Sequence, residues 1–227
     1  MSHVRINTDT LQTIFKNIQQ YSINPRQTHI VAVTKKFSHM AAIEAIKNNI
    51  FCIGENQVQE FENKHQQLLT YNFEAHLIGH LQSNKINKAI KLFNVIETVD
   101  SFKLAVKLNK QLKKINQKQN IYIQINIGED PNKHGFMLEN IYKTIETISA
   151  HQQLRLVGLM TILPFYEDTK KTQPLFAHMK EIQNKTLKDI SPVCKFLSMG
   201  MSRDYIYALK EGATHLRIGT KLYGQRA

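Results

Sequence analysis

Cysteine is scarce in this chain: two residues, Cys52 and Cys194, among 227. Two are too few for a disulfide framework. Both lie in apolar segments, FCIG and VCKF, so each is expected to be a buried thiol in a reducing cytoplasm. No apolar run approaches the roughly 20 residues of a membrane helix. The opening MSHVRINTDTLQTIF lacks the apolar core of a secretory signal. Gly/Ser-rich linkers, composition breaks and low-complexity tracts are missing, so one domain over residues 1–227 is expected. Acidic residues are few as well, 18 Asp and Glu against 30 Lys and Arg, giving a net charge of +12. Such an excess can attract nucleic acid, anionic lipid or phosphorylated ligands. No nucleic-acid motif accompanies it. Lysines such as Lys103, Lys107, Lys110, Lys113, Lys114 and Lys118 are instead expected on solvated helix faces. His76, His80, His134 and His215 lack compact ligand spacing, so no metal site is expected.

What is present is alternation. A helix is expected over 7–21 from Leu11, Ile14, Phe15 and Ile18, with Thr8 or Thr10 capping it. After it, short apolar strands are expected at 29–35, 51–56, 75–80, 95–100, 121–127, 154–162, 195–201 and 215–220. Helical stretches separate them, near 40–48, 58–69, 84–93, 102–114, 138–150, 172–187 and 204–210. Gly212 is a suitable stop after the last. Strands that alternate with helices build a parallel sheet. Eight such units predict a single (β/α)8 TIM barrel with an extra N-terminal helix, compact beside the usual length of about 250 residues.

In such barrels chemistry sits at the C-terminal strand ends. Polar residues gather there: Lys35, Glu55 and Asn56, His80 and Gln82, Asn126 and Lys133, Thr161, Ser198 and Ser202, Arg217 and Thr220. On strand one, alternation puts Val31, Val33 and Lys35 on one face. If the valines fill the barrel, Lys35 enters its mouth, where lost solvation favours the neutral, nucleophilic amine. The alternative is a strand-end lysine reaching water, as expected of Lys36. On strand eight, Leu216 and Ile218 should meet the helices and leave Arg217 inside. An inward arginine needs an anionic or lone-pair partner, either a ligand or a structural acid such as Asp100 or Glu55. Phosphate sites usually form after strands seven and eight. Here those ends read SMGMS and RIGT, with Gly200, Gly219, Ser198, Ser202 and Thr220, and the short helix expected near Asp204 offers its N-terminal amides. Ordinary glycine turns are the alternative. Met199 and Met201 are expected to pack in the core.

These segments resemble the pyridoxal phosphate homeostasis protein family, related to the N-terminal barrel of bacterial alanine racemase. The matching pieces are AVTK (32–35), FCIGENQVQE (51–60), HLIGHLQSNK (76–85), VDS (99–101), QINIGEDPNKHGF (124–136), GLMTI (158–162), SMGMSRDY (198–205) and RIGTKLYG (217–224). They span nearly the whole chain. The resemblance implies pyridoxal 5′-phosphate (PLP) held as a Schiff base on Lys35. It implies Arg217 bonded to the pyridine nitrogen, Asn56 beside the ring, and phosphate binding by Ser198, Gly200, Gly219 and Thr220, with Ser202 nearby. Departures are Thr34 in place of a common Ser, His80 in place of Pro or a small residue, and an atypical Phe37, Ser38 and His39.

Arginine at the pyridine nitrogen weakens the ring as an electron sink. The chain ends at Ala227, soon after strand eight, so the domain that supplies a tyrosine base in alanine racemase is not expected. The expected role is therefore vitamin B6 homeostasis or cofactor delivery without dedicated catalysis, by a cytoplasmic monomer making transient contacts with PLP-using apo-enzymes. No membrane or nucleic-acid partner is expected. Two alternatives stay open: a PLP-dependent amino-acid racemase, and a barrel binding a phosphorylated metabolite without an imine.

Overall fold

The computed structural model describes residues 4–224; residues 1–3 and 225–227 of the expected domain lie outside the described residues. Eight parallel strands form one closed barrel in sequence order. They are β1 (His29–Val33), β2 (Cys52–Glu55), β3 (Glu74–Leu77), β4 (Val95–Val99), β5 (Gln119–Gln124), β6 (Leu154–Met160), β7 (Phe196–Met201) and β8 (His215–Ile218). Around them lie α1 (Thr8–Tyr21), α2 (His39–Lys47), α3 (Val58–His65), α4 (Ile86–Leu92), α5 (Phe102–Lys114), α6 (Ile141–Ser149), α7 (Gln173–Asp189), α8 (Tyr205–Lys210) and α9 (Thr220–Tyr223). The eight-unit barrel with an N-terminal helix is thus as expected, with one addition: α9 follows the last strand. The helices are amphipathic, so they bury one stripe and leave the other in water. On α5, Leu104, Ala105, Leu108 and Leu112 are buried, while Lys103, Lys107, Lys110, Lys113 and Lys114 are exposed.

The expected caps of α1, Thr8 and Thr10, both lie inside the helix. Asn7 caps it instead, its Oδ1 accepting the Thr10 amide at 2.9 Å. The helix buries Leu11, Ile14 and Ile18, each contributing roughly 1.5–3 kcal/mol. Phe15 stays 41% exposed. Asn17 donates to the Tyr205 hydroxyl at 2.6 Å and the Asn7 amide to the Leu222 carbonyl at 2.9 Å, which ties α1 to α8 and to α9.

Strand alternation sorts the side chains. Ile30, Ala32, Leu216 and Ile218 belong to the large apolar layer between barrel and helices. Val33 and Arg217 line the cavity at the barrel's C-terminal end, and Val31 pairs with Arg217 across β1 and β8. Met199 is fully buried in the outer layer, whereas Met201 is half-buried and reaches the cavity. Both cysteines are buried free thiols.

Several strands stop short of their apolar runs. β1 ends at Val33 rather than Lys35, and β3 at Leu77 rather than His80. The polar residues at these ends leave the ladder to turn: the Thr34 amide still reaches the Gly54 carbonyl, but the Phe37 amide bonds back to Thr34. Lys36 then sits at φ 65°. The chain thereby brings the strand-end residues Lys35 and His80 to the barrel mouth.

The ends of β2 and β3 meet tightly. A methyl added at Gly79 would lie 2.2 Å from the Asn56 carbonyl oxygen and 2.7 Å from its Cα, both backbone atoms. Gly79→Ala is therefore expected to destabilise the barrel by roughly 1–3 kcal/mol. Urea unfolding should show a lower midpoint at unchanged slope; an unchanged midpoint would refute this packing.

Candidate functional site

A cavity of about 550 Å³ opens at the C-terminal ends of the strands. That volume suits a small cofactor, for which pockets of about 300–1,000 Å³ are usual. Six of the expected site residues line it: Lys35, Asn56, Ser202, Arg217, Gly219 and Thr220. His80 and Lys133 line it as well, with Phe165 and Tyr166 from the loop after β6. Lys35, Lys133, Arg203 and Arg217 face one acid, Asp204. The wall is thus strongly positive and attracts anions.

Lys35 follows β1 after Thr34 and is half-buried at the mouth, while Lys36 is exposed. A buried network beneath fixes this turn. Lys64 donates to the Thr34 carbonyl at 2.9 Å, to Glu55 at 2.7 Å and to Glu60 at 2.8 Å. The Thr34 hydroxyl donates to the same Glu55 oxygen at 2.6 Å, and the Lys36 amide bonds Glu60. Burial raises the Glu55 pKa, with Lys64 and Thr34 pulling against it. Glu55 therefore supports the Lys35 turn and is not the partner of Arg217.

Arg217 is buried and inward, as alternation requires. Its expected acidic partners, Asp100 and Glu55, are both engaged elsewhere: Asp100 accepts from His80 at 2.6 Å, and Glu55 pairs with Lys64. Arg217 instead donates Nη1 to the Ser198 hydroxyl at 2.7 Å and Nη2 to the Thr161 carbonyl at 2.6 Å. Ser198 passes the interaction on, donating to Glu97 at 2.5 Å. Burial lowers the Arg217 pKa, and Glu97 and Asp204 oppose that; a guanidinium with a starting value above about 12 stays charged. Burial would raise Glu97, but His76 and Arg217 outweigh it and hold its pKa below the usual range. Burial would likewise depress His76, yet Cys52, Glu74 and Glu97 raise it well above the ordinary imidazole value.

Two expected phosphate residues take other roles. The Ser198 hydroxyl does not line the cavity, because Glu97 and Arg217 hold it beneath the floor. Gly200 sits at φ 85°, where the register of β7 against β8 shifts. A methyl there would meet the Ala208 Cβ at 2.5 Å, so this glycine serves a bulge packed on α8. At the start of α8 the Asp204 carboxylate already accepts the Met201 amide at 2.6 Å, so an acid occupies the end expected to face an anion. Burial raises the Asp204 pKa, opposed by that amide and Arg217. Ser202 lines the cavity, its hydroxyl accepting the Lys221 amide at 3.4 Å. Asn126 shapes the loop after β5 by bonding Asp130 at both ends of its amide. Gln82 lines a neighbouring pocket together with Asn56.

The histidines, scattered in sequence, converge in space. His80, Asp100 and His134 meet at the rim, and Cys52, His76 and His215 meet inside. Spacing along the chain missed this because each set comes from separate strands and loops. Glu97 was likewise overlooked, although a carboxylate within the apolar run VIETV signals an interior partner.

Sequence comparison matches residues 6–227 to the family described as alanine racemase, N-terminal domain. A pyridoxal phosphate homeostasis protein from Aquifex aeolicus (strain VF5) is 36% identical over 173 residues, 76% of each chain. One from Synechocystis is 35% identical over 204 residues, 89% of this chain and 93% of the relative. The structure of PipY from Synechococcus elongatus PCC7942 with PLP bound superposes with a TM-score of 0.83 at 30% identity, covering 95% of this chain and 99% of that one.

The Lys64 network yields a stability prediction. Lys64→Met leaves the buried Glu55 without its cation and should cost about 3–5 kcal/mol. Adding Glu55→Gln should recover part of that loss in denaturant titrations. A double variant as unstable as the single would show that the ion pair is not the cause.

Proposed function

This chain belongs to the alanine racemase N-terminal domain family, and we propose that it holds PLP in the barrel mouth and serves vitamin B6 homeostasis or cofactor delivery. The reading extends what its relatives' names and the PLP-bound PipY describe. One observation carries it: a single cavity of about 550 Å³ brings a lysine, an arginine and a Ser202–Gly219–Thr220 edge together. Those groups answer the three polar parts of the cofactor, its aldehyde, its ring nitrogen and its phosphate.

When bound, the cofactor supplies an aldehyde that condenses with a primary amine. We assign that amine to Lys35, whose turn is held by Lys64 and Glu55. Arg217 offers its remaining N–H donors to the ring nitrogen and has no proton to give up. Ser198, Glu97 and the Thr161 carbonyl keep it in place. Ser202, Thr220 and the Gly219 backbone take the phosphate, Asn56 flanks the ring, and Ser198 and Gly200 shape that end from behind. A donor rather than an acid at the ring nitrogen disfavours carbanion chemistry, which supports a carrier over a racemase. The barrel would act as one domain and as a cytoplasmic monomer, passing the cofactor to apo-enzymes in transient contacts. Among the described residues no helix is long and apolar enough to cross a membrane.

The test is borohydride reduction of the PLP-loaded protein followed by peptide mass mapping. The pyridoxyl mass should fall on the peptide carrying Lys35, and Lys35→Ala should lose both the label and the visible absorbance. Equal labelling of Lys35→Ala, or an unlabelled wild type, would defeat the assignment. A wild type that racemises free amino acids at ordinary enzyme rates would favour the catalytic alternative.

A further inference from the structure

We propose that the N-terminal end of the barrel, opposite the cofactor cavity, is a binding site for a borderline-soft divalent cation such as zinc, with Cys52 Sγ, His76 Nε2 and His215 as ligands and Glu74 as the fourth donor. Cys52 and His215 open β2 and β8, Glu74 opens β3, and His76 follows it by two residues on the same inward face. The donor atoms of Cys52, His76 and His215 lie within 4.8 Å of one another, all three residues being buried. The Glu74 carboxylate is 3.7 Å from His76 Nε2 and 60% exposed, so the fourth donor stands on the solvent side of His76.

A second observation points to a ligand. The Nε2 atom of His76 is buried and makes no hydrogen bond of acceptable geometry among the described residues. A buried polar atom in that condition calls for an ion or a water. It adjoins a cavity of about 120 Å³ lined by the four proposed donors, by His29 and Asn120, and by Val95, Tyr122, Val157 and Phe196. The apolar part of this wall limits water access and strengthens coordination.

The outer contacts are those of a metal site. His76 Nδ1 bonds Glu97 at 2.7 Å, the carboxylate–histidine pairing that fixes the ring and makes the opposite nitrogen a better donor. His215 Nδ1 is held by the Thr214 hydroxyl at 2.9 Å, so the other ring nitrogen is the one proposed as its ligand atom. One thiol, two imidazoles and a carboxylate suit zinc, whose bonds of about 2.0–2.3 Å put donors about 3.4 Å apart in a tetrahedron. The rim cluster of His80, Asp100 and His134 differs: its rings stack at 4.2 Å, and the Asp100 carboxylate already accepts from His80.

The site is independent of the cofactor assignment, and its test does not involve PLP. Reduced full-length protein is titrated with Co²⁺ as an optical probe, then with Zn²⁺. Expected is saturation at one sulfur-bound equivalent, seen as a near-ultraviolet thiolate charge-transfer band that Zn²⁺ abolishes. Cys52→Ser should lose the band, and His215→Gln should weaken binding at least about tenfold, the smallest loss expected even for an outer contact. Zn²⁺ should raise the thermal midpoint of the wild type and not of Cys52→Ser. A wild type that binds Co²⁺ without the sulfur band, or binds none, overturns the proposal even if a variant fails to fold. So does a Cys52→Ser variant that keeps the band.

Discussion

A guanidinium that cannot shed its proton is enclosed by the barrel wall, and the site is arranged around that constraint. Left unpaired, a charge taken from water costs several kcal/mol. Arg217 avoids this with charge-assisted hydrogen bonds to Ser198 and Thr161 and with two nearby carboxylates, Glu97 and Asp204. Each such bond contributes roughly 1.5–3 kcal/mol. Two of its donors point down into this network, which leaves the others for the cavity that Arg217 also lines. The same contacts therefore keep the fold stable and aim the arginine.

Lys35 is handled by the opposite means. Its position comes from the backbone turn after β1, held by the side chain of another lysine. Lys64 clamps the Thr34 carbonyl between two acids, and the left-handed conformation of Lys36 bends the chain away from the mouth. Lys64 is spent on structure, while Lys35 lines the cavity. A buried ion pair of this sort adds little net stability beside an apolar substitute, so the clamp is better explained by the geometry it imposes on residues 34–36.

Alternation carried most of what the sequence could reveal. Period-two reading placed Val33 and Arg217 inside and Leu216 and Ile218 outside, and eight repeats of strand and helix gave the closed barrel. It failed where a residue's role depends on a partner far along the chain. Glu97 and Ser198 are 101 positions apart and in contact, while Asp100 and Glu55, nearer the mouth in sequence terms, are taken by His80 and Lys64. Gly200 reads as an anion turn from composition, yet its φ and the Ala208 contact make it a bulge. The histidine clusters failed to register for the same reason, since closing the barrel sets β8 beside β1 and near β2 and β3.

Glu97 ties these observations together. One of its oxygens meets His76 at 2.7 Å and the other meets Ser198 at 2.5 Å, so a single buried carboxylate faces both ends of the barrel. Towards the cavity its charge offsets Arg217 through the serine; towards the opposite end it favours a cation at or on His76. Interior charges interact strongly because little water screens them. Glu97 and Ser198 thus join Arg217 at the cavity floor to His76 at the opposite end by three successive hydrogen bonds.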